Sequence, residues 1–319
     1  LTGRREGAMR VEGDRSWLAG PAWSLDDRIT ILQIAGKDAQ DLLHRLSAND
    51  LSRMRAGDVC PAPLLTEKGR IIDILAIIHA GDVLLGVSSA SQTSRVMQWI
   101  ERFTIMEDVR ITDVTSLFSV YWCADMGLAS SSSTSNDRVY DVPVIGPEPL
   151  MDRVRRLLVP RKDPRKQEIS GSVSAAILEE DLQISAEERN FRSIVMGIPS
   201  APDEINEAHT PYDINLRHLI SFTKGCYIGQ EVIARMDTYG KATRSLMGVL
   251  LRAPAQPTPP VRLQMGDHDV GTLTSVAAFA TNGKTPGLAI LRNDRVHEGD
   301  RVSLPSGGEG VVCPLPITL

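Results

Sequence analysis

Cys226 has the neighbours of a reactive thiol. It stands in Thr223-Lys224-Gly225-Cys226-Tyr227-Ile228-Gly229-Gln230-Glu231, between two glycines and two residues after a lysine. From Gln230 the apolar spacing turns helical: Val232, Ile233, Met236 and Tyr239 can share one face, and Gly240 supplies a stop. The thiol is therefore expected in a tight turn just ahead of a helix N-terminus. Lys224 and the positive end of that helix would both favour thiolate over thiol. The competing reading is a small apolar residue packed under a loop, since free cysteine is often buried. The other cysteines, Cys60, Cys123 and Cys313, lie far apart with no C-x-x-C. That spacing argues against a zinc site or a self-contained iron–sulfur site, so no metal ligands are assigned, and the count suits a reducing compartment.

The chain of 319 residues is long enough for two or three domains. Its 42% hydrophobic and 24% charged content is that of a globular protein. A net charge of −5 gives no general pull toward nucleic acid or anionic membrane, so a direct nucleic-acid binder is disfavoured. No apolar run approaches the roughly 20 residues needed to cross a bilayer. Leu1 to Arg10 is basic without an apolar core, so no signal peptide is expected. A cytoplasmic location follows, with an organelle matrix as the alternative.

The elements that must position the thiol read in order. Arg28 to Ile34 is a strand, and Gly36-Lys37-Asp38 opens a helix with Asp38 as N-cap and Leu42, Leu43 and Leu46 buried. His44 on that helix reads as a partly exposed residue. Pro61 to Leu65 and Arg70 to Ile78 are strands joined by the Thr66-Glu67-Lys68-Gly69 turn, followed by Val83 to Val87. Ser91 to Phe103 is an amphipathic helix, with strands after it near Val109–Thr112 and Phe118–Trp122. Ala129 to Asn136 is a serine-rich loop. Glu148 to Leu158 is expected to be a helix, Arg161 to Lys166 a basic loop, and Ser174 to Arg189 to carry another helix. Ala253 to Pro260 reads as a stiff linker. Beyond it, short strands are set off by Gly266-Asp267, Asn282-Gly283, Gly299-Asp300 and Ser306-Gly307-Gly308, which predicts a small all-β barrel or sandwich. Strands interrupted by single helices indicate an α+β fold, with antiparallel sheets covered by helices on one face.

The run Lys224 to Glu231, with Ala234-Arg235, Gly240 and Arg244, resembles the signature of the YgfZ-type folate-binding proteins, relatives of the glycine-cleavage T-protein (aminomethyltransferase). Weaker similarity covers most of the chain. It includes Gly36 to Ala39, Leu43-His44, Asn49-Asp50-Leu51, Leu65 to Asp73, Gly197-Ile198-Pro199, and Pro211 through Phe222. The resemblance implies two intertwined ferredoxin-like, T-protein-like α+β subdomains over residues 1–245 and a C-terminal β-barrel over 246–319.

The same resemblance offers two functions. One is a tetrahydrofolate-binding accessory protein for iron–sulfur cluster assembly or repair, with Cys226 and Lys224 as its working pair. Its partners would be folate and iron–sulfur assembly or client proteins, and through them tRNA modification. A lone thiolate can ligate a cluster transiently or exchange with a disulfide, but cannot hold one by itself. The other is T-protein-type aminomethyl transfer, which needs a second acid where this chain has Ile74 after Asp73. Strand alternation puts those neighbours on opposite faces, so Asp73 cannot stand in for it. Arg235 and Arg244 either grip the glutamate tail of folate, because a guanidinium binds a carboxylate bidentately, or form surface salt bridges. Tyr227 packs on the pterin or caps the core, and Asn49, Lys68 and Arg70 complete the implied folate set. Gln230-Glu231 are expected to cap the helix. Val195 stands where relatives carry a pterin-binding Glu, with Asp213 the substitute acid. A protein–protein scaffold with a vestigial pocket is the third possibility.

Overall fold

The computed structural model describes residues 20–126, 139–148, 153–161, 180–240, 242–252 and 257–319. The serine-rich loop at 129–136, the basic stretch at 162–166 and the N-terminal ten residues lie outside them. In chain order the first part holds β1 (Ala22–Leu25), β2 (Ile29–Ala35), α1 (Ala39–Leu46), β3 (Val59–Leu65), β4 (Ile71–His79), β5 (Val83–Ser89), α2 (Thr93–Phe103) and β6 (Arg110–Asp113). It continues through β7 (Phe118–Ala124), β8 (Tyr140–Pro143), β9 (Val154–Pro160), α3 (Ala186–Met196) and α4 (Gln230–Thr238).

Two antiparallel sheets result. Five strands lie in the order β3-β4-β5-β2-β6, and four in the order β1-β7-β9-β8. The chain starts in the second sheet, crosses to the first and returns, so the two units are intertwined as the resemblance implied. Period-two alternation sends Leu32, Ile34, Leu75 and Ile77 to one face, against Leu42, Leu43, Val96 and Trp99 of α1 and α2. Ile29, Ile31, Ala76 and Ile78 go to the other face, against Val120, Val142 and Leu158 of the second sheet.

Several expectations need correction. The stretch expected as a helix from Glu148 contains β9, whose Val120↔Leu158 and Trp122↔Arg156 pairings continue the second sheet. Its residues Val154, Leu157 and Leu158 are buried by sheet packing, which overrides a helical reading of the spacing. The helix expected to end at Arg189 runs on to Met196 and starts at Ala186, fixed by a capping box between Ser185 and Glu188. Gly197 ends it in the left-handed conformation (φ 74°). Asp38 precedes α1 without capping it: its carboxylate accepts from the Asp108 amide at 2.8 Å.

The barrel is closed, in the order β10-β13-β12-β11-β14-β15. Its strands are β10 (Arg244–Arg252), β11 (Val261–Met265), β12 (His268–Val276), β13 (Lys284–Arg292), β14 (Arg301–Ser303) and β15 (Glu309–Cys313). Val249, Leu251, Leu273, Leu291 and Val312 fill it. Since β10 is a barrel strand paired to β13 and β15, the barrel begins before the proline-rich segment and not after it.

Candidate functional site

The loop carrying Cys226 is pinned on two sides. On one side the Ser221 amide donates to Ala48 O at 2.9 Å, and Lys224 Nζ donates to the carbonyl oxygens of His44, Ser47 (2.7 Å) and Asn49 (3.0 Å). These acceptors are the carbonyls left over where α1 ends, and the ammonium satisfies them as a C-terminal cap. On the other side Gly229 takes φ 83°, and a Cβ there would lie 2.5 Å from Thr66 O, so the hairpin turn and the entry to α4 touch backbone to backbone. Between these anchors Tyr227 is buried under the Lys224 ammonium (5.3 Å to the ring), while Cys226 is exposed.

Exposure separates Cys226 from the other cysteines. Burial pushes the Cys60 thiol up to about 11, with Asp50 adding to it, and the Cys123 thiol up to about 12, with Asp141 adding. Burial likewise raises Cys313 to about 11, with Glu298 adding. Cys123 is buried and Cys60 and Cys313 are half-buried, and in all three burial favours the protonated thiol. The tight turn before a helix is found as expected, but the Lys224–Cys226 partnership is not. Lys224 is itself buried, and its hydrogen bonds among the described residues go to backbone carbonyls. Burial lowers its pKa to about 8, against the pull of Asp50 and Cys60. Lys224 is thus a positioning residue, and the nearby thiol it senses is Cys60.

The remaining candidates do not converge on one pocket. Arg244 donates to Asp213 through Nε and Nη2, both at 3.2 Å, and Arg70 Nη1 stands 3.7 Å from the same carboxylate. The Thr210 amide also donates to Asp213, at 2.7 Å. The fork expected to hold a ligand's carboxylate therefore holds Asp213, and Asp213 is not a free substitute acid. Arg235 pairs with Glu231 one turn away, so Glu231 is not the expected cap, and α4 begins at Gly229 with no side-chain cap. Asn49 Nδ2 donates to Pro61 O at 2.9 Å. Lys68 is exposed on the hairpin turn. Burial pushes Tyr227 up to about 12, and its ring belongs to the main core, which is the core-capping reading. Tyr239, expected on the buried face of α4, is 66% exposed because that face rotates past it.

A cavity of about 50 Å³ opens where the two sheets meet α3 and the segment after it. Ile74, Ser88, Ser89, Trp122, Arg28 and Arg156 line it, with Ser193, Ile198, Ser200 and Ile205 on the far side. Ile74 faces in, and Asp73 turns away, as alternation requires. Asp73 accepts from the Ile74 amide (2.8 Å), Ser88 Oγ (2.7 Å), the Ser89 amide (3.0 Å) and Ser89 Oγ (3.2 Å). Burial raises its pKa against those four donors. Val195 is not among the lining residues and packs on the core through its side chain. Ligand clefts run to roughly 300–1,000 Å³. At its present width, and with no acid on its wall, the cavity does not fit a pterin. None of the nine residues singled out from the sequence lines it.

Sequence reading missed Arg28, Arg156 and their buried partner Asp26, which are 130 residues apart in part and share no motif. It also missed Glu204, which is fully buried. Glu204 accepts from the Ser200 amide (3.0 Å), Thr274 Oγ1 and Ser275 Oγ (both 2.6 Å). Among the described residues no three His, Cys, Asp or Glu side chains cluster as a metal site, and no helix is long and apolar enough to cross a membrane.

The GCVT N-terminal domain family matches residues 28–121, which span β2 to β7. A solved aminomethyltransferase of the glycine cleavage system from Bartonella henselae superposes with a TM-score of 0.73 at 15% identity, covering 93% of this chain and 86% of that one. The intertwined sheets and closed barrel are the fold of that aminomethyltransferase. A tRNA-modifying protein YgfZ of Colwellia psychrerythraea is 22% identical over 271 residues, covering 82% of this chain and 83% of its own. A chloroplastic protein of Arabidopsis thaliana with a provisional transferase name is 24% identical over 302 residues, covering 89% and 68%. The similarity to the YgfZ protein agrees with the resemblance that the Lys224 to Glu231 run carries.

Proposed function

We propose that this protein is a YgfZ-type accessory protein that supports iron–sulfur cluster assembly or repair, and through it the iron–sulfur enzymes of tRNA modification, with the Cys226 thiol as its working group. The observation that carries this reading is the exposure of Cys226 on a doubly pinned loop, while Cys123 is buried, Cys60 and Cys313 are half-buried, and burial raises all three of those thiols. One thiol can offer a single ligand or enter disulfide exchange, so the remaining ligands of any cluster come from a partner or a small thiol. Residues 1–245 would form the folate-type region and 246–319 the barrel domain. Aminomethyl transfer is disfavoured, because Ile74 presents an apolar group to the cavity where that chemistry needs a carboxylate.

Folate remains the ligand that the resemblance implies, and titration with tetrahydrofolate tests it: binding raises the melting temperature by linkage. The narrow cavity specifically favours the second reading, a scaffold with a remodelled pocket, and absence of a shift at saturating tetrahydrofolate would select it. Activity of an iron–sulfur enzyme in a host lacking its own protein of this type tests the thiol. Rescue that Cys226→Ala abolishes supports the reading, and undiminished rescue rejects it.

A further inference from the structure

The cavity has chemistry of its own, independent of the Cys226 reading. We infer that it is a binding site for a short-chain organic carboxylate, held by Arg28 and Arg156 at one wall with its apolar body against Ile74, Ile145, Ile198 and Ile205.

The cationic wall is built from the inside. Asp26 is buried, and its carboxylate meets Arg156 Nε at 3.0 Å, Arg28 Nε at 3.5 Å and Arg189 Nη1 at 3.5 Å. Arg28 and Arg156 both line the cavity, and their side-chain hydrogen bonds among the described residues use Nε alone. Their terminal Nη donors are left for a ligand, in the fork geometry that suits a carboxylate. The three guanidiniums also meet the exposed Asp27, 3.4 Å from Arg189, and Asp203, whose carboxyl feels the charge of Arg28.

The rest of the lining sorts by chemistry. Ser193 Oγ takes no hydrogen-bond partner among the described residues and is an available donor, whereas the Ser200 hydroxyl is engaged by Asp203 and Glu204. Ser88 and Ser89 have given their hydroxyl protons to Asp73. Among the described residues no Asp or Glu lines the cavity. Apolar walls with a few placed polar groups define an amphiphilic ligand. A volume of about 50 Å³ admits only a few heavy atoms. Inorganic phosphate satisfies the arginines but leaves the isoleucine wall unused.

Calorimetric titration with acetate, propionate, butyrate and inorganic phosphate tests this, with sodium and ionic strength matched by chloride. Saturable binding is expected, strengthening roughly fourfold per added methylene from acetate to butyrate, as burial of CH₂ groups predicts. Arg28→Gln should weaken butyrate at least tenfold and Ser193→Ala a few-fold. Arg28 is the better variant because it is partly exposed and leaves Asp26 two arginines. Arg235→Gln and Cys226→Ala should bind as the wild type does, so failure of the thiol reading leaves this result standing, and the reverse. The proposal is overturned if no carboxylate binds saturably, if Arg28→Gln binds butyrate unchanged, or if phosphate binds more tightly than butyrate.

Discussion

Lys224 Nζ donates to the carbonyl oxygen of Ser47 at 2.7 Å, so the lysine two residues before the exposed thiol closes the end of helix α1. The signature loop is thereby fastened to an element 177 residues earlier in the chain. Lys224→Met removes an ammonium from the buried Ser47 contact and from the part-buried carbonyls of His44 and Asn49, and leaving a buried group unsatisfied costs about 1–3 kcal/mol. A lower melting temperature and faster amide exchange in residues 221–229 are expected, while far-UV dichroism is unchanged. An unchanged melting temperature and unchanged exchange would contradict the capping role.

Cys226 should be the first cysteine to react. Brief iodoacetamide treatment of the folded protein near pH 7.5 is expected to label Cys226 alone, read by peptide mass spectrometry. Labelling of Cys60, Cys123 and Cys313 should await denaturant. Cys226→Ala should fold with a melting temperature close to wild type, since an exposed substitution usually stays within about 0.5 kcal/mol. Early labelling of Cys60 would contradict this order.

Asp26 gives the fold an acid-sensitive joint. Burial alone would raise its pKa, but Arg156, Arg28 and Arg189 hold it down at about 2. The folded value lies below the ordinary 3.8, so the stabilisation is present above pH 3.8 and is lost as pH falls through about 2. Asp26→Asn leaves three guanidiniums without their carboxylate and should cost about 3–5 kcal/mol near neutral pH. Chemical denaturation at several pH values checks this: the gap between variant and wild type should narrow in that acid window.

Glu204 behaves in the opposite sense. Burial pushes it up to about 7, against the hydroxyls of Ser275 and Thr274 on β12. Thr274 Oγ1 lies 3.1 Å from Leu288 O and 2.6 Å from Glu204. When its one proton goes to Leu288, the contact with Glu204 requires a proton on the carboxyl. With the folded value raised, this contribution is full below about 4.5 and lost as pH rises through about 7. Glu204→Gln, which keeps a donor toward β12 and an acceptor toward Ser200, should flatten that decline and equal or exceed wild type at pH 8. Glu204→Ala should destabilise at every pH. A wild-type profile in Glu204→Gln would contradict the assignment.

The strands β2 to β7 were legible because alternation and turn chemistry agree there, as at Thr66 to Gly69. The barrel turns at Gly266-Asp267 and Asn282-Gly283 were legible for the same reason. β9 was not, because Val154, Leu157 and Leu158 also satisfy a helical spacing and only pairing with β7 decides between them. The thiol loop could be read from its glycines and lysine, but the direction of Lys224 could not, since its acceptors are backbone carbonyls of a distant helix end. Arg28, Arg156 and Asp26 carry no local pattern. Their meeting is a product of sheet packing, and so is the cavity they line.

The claim on which the account rests is that Cys226 is the working thiol. The direct measurement is iron–sulfur enzyme activity in a deficient host expressing, at matched protein levels, the wild type or a single Ala substitution at Cys226, Cys60, Cys123 or Cys313. The account predicts that wild type and the Cys60, Cys123 and Cys313 variants restore activity, and that Cys226→Ala does not. Full restoration by Cys226→Ala would contradict it.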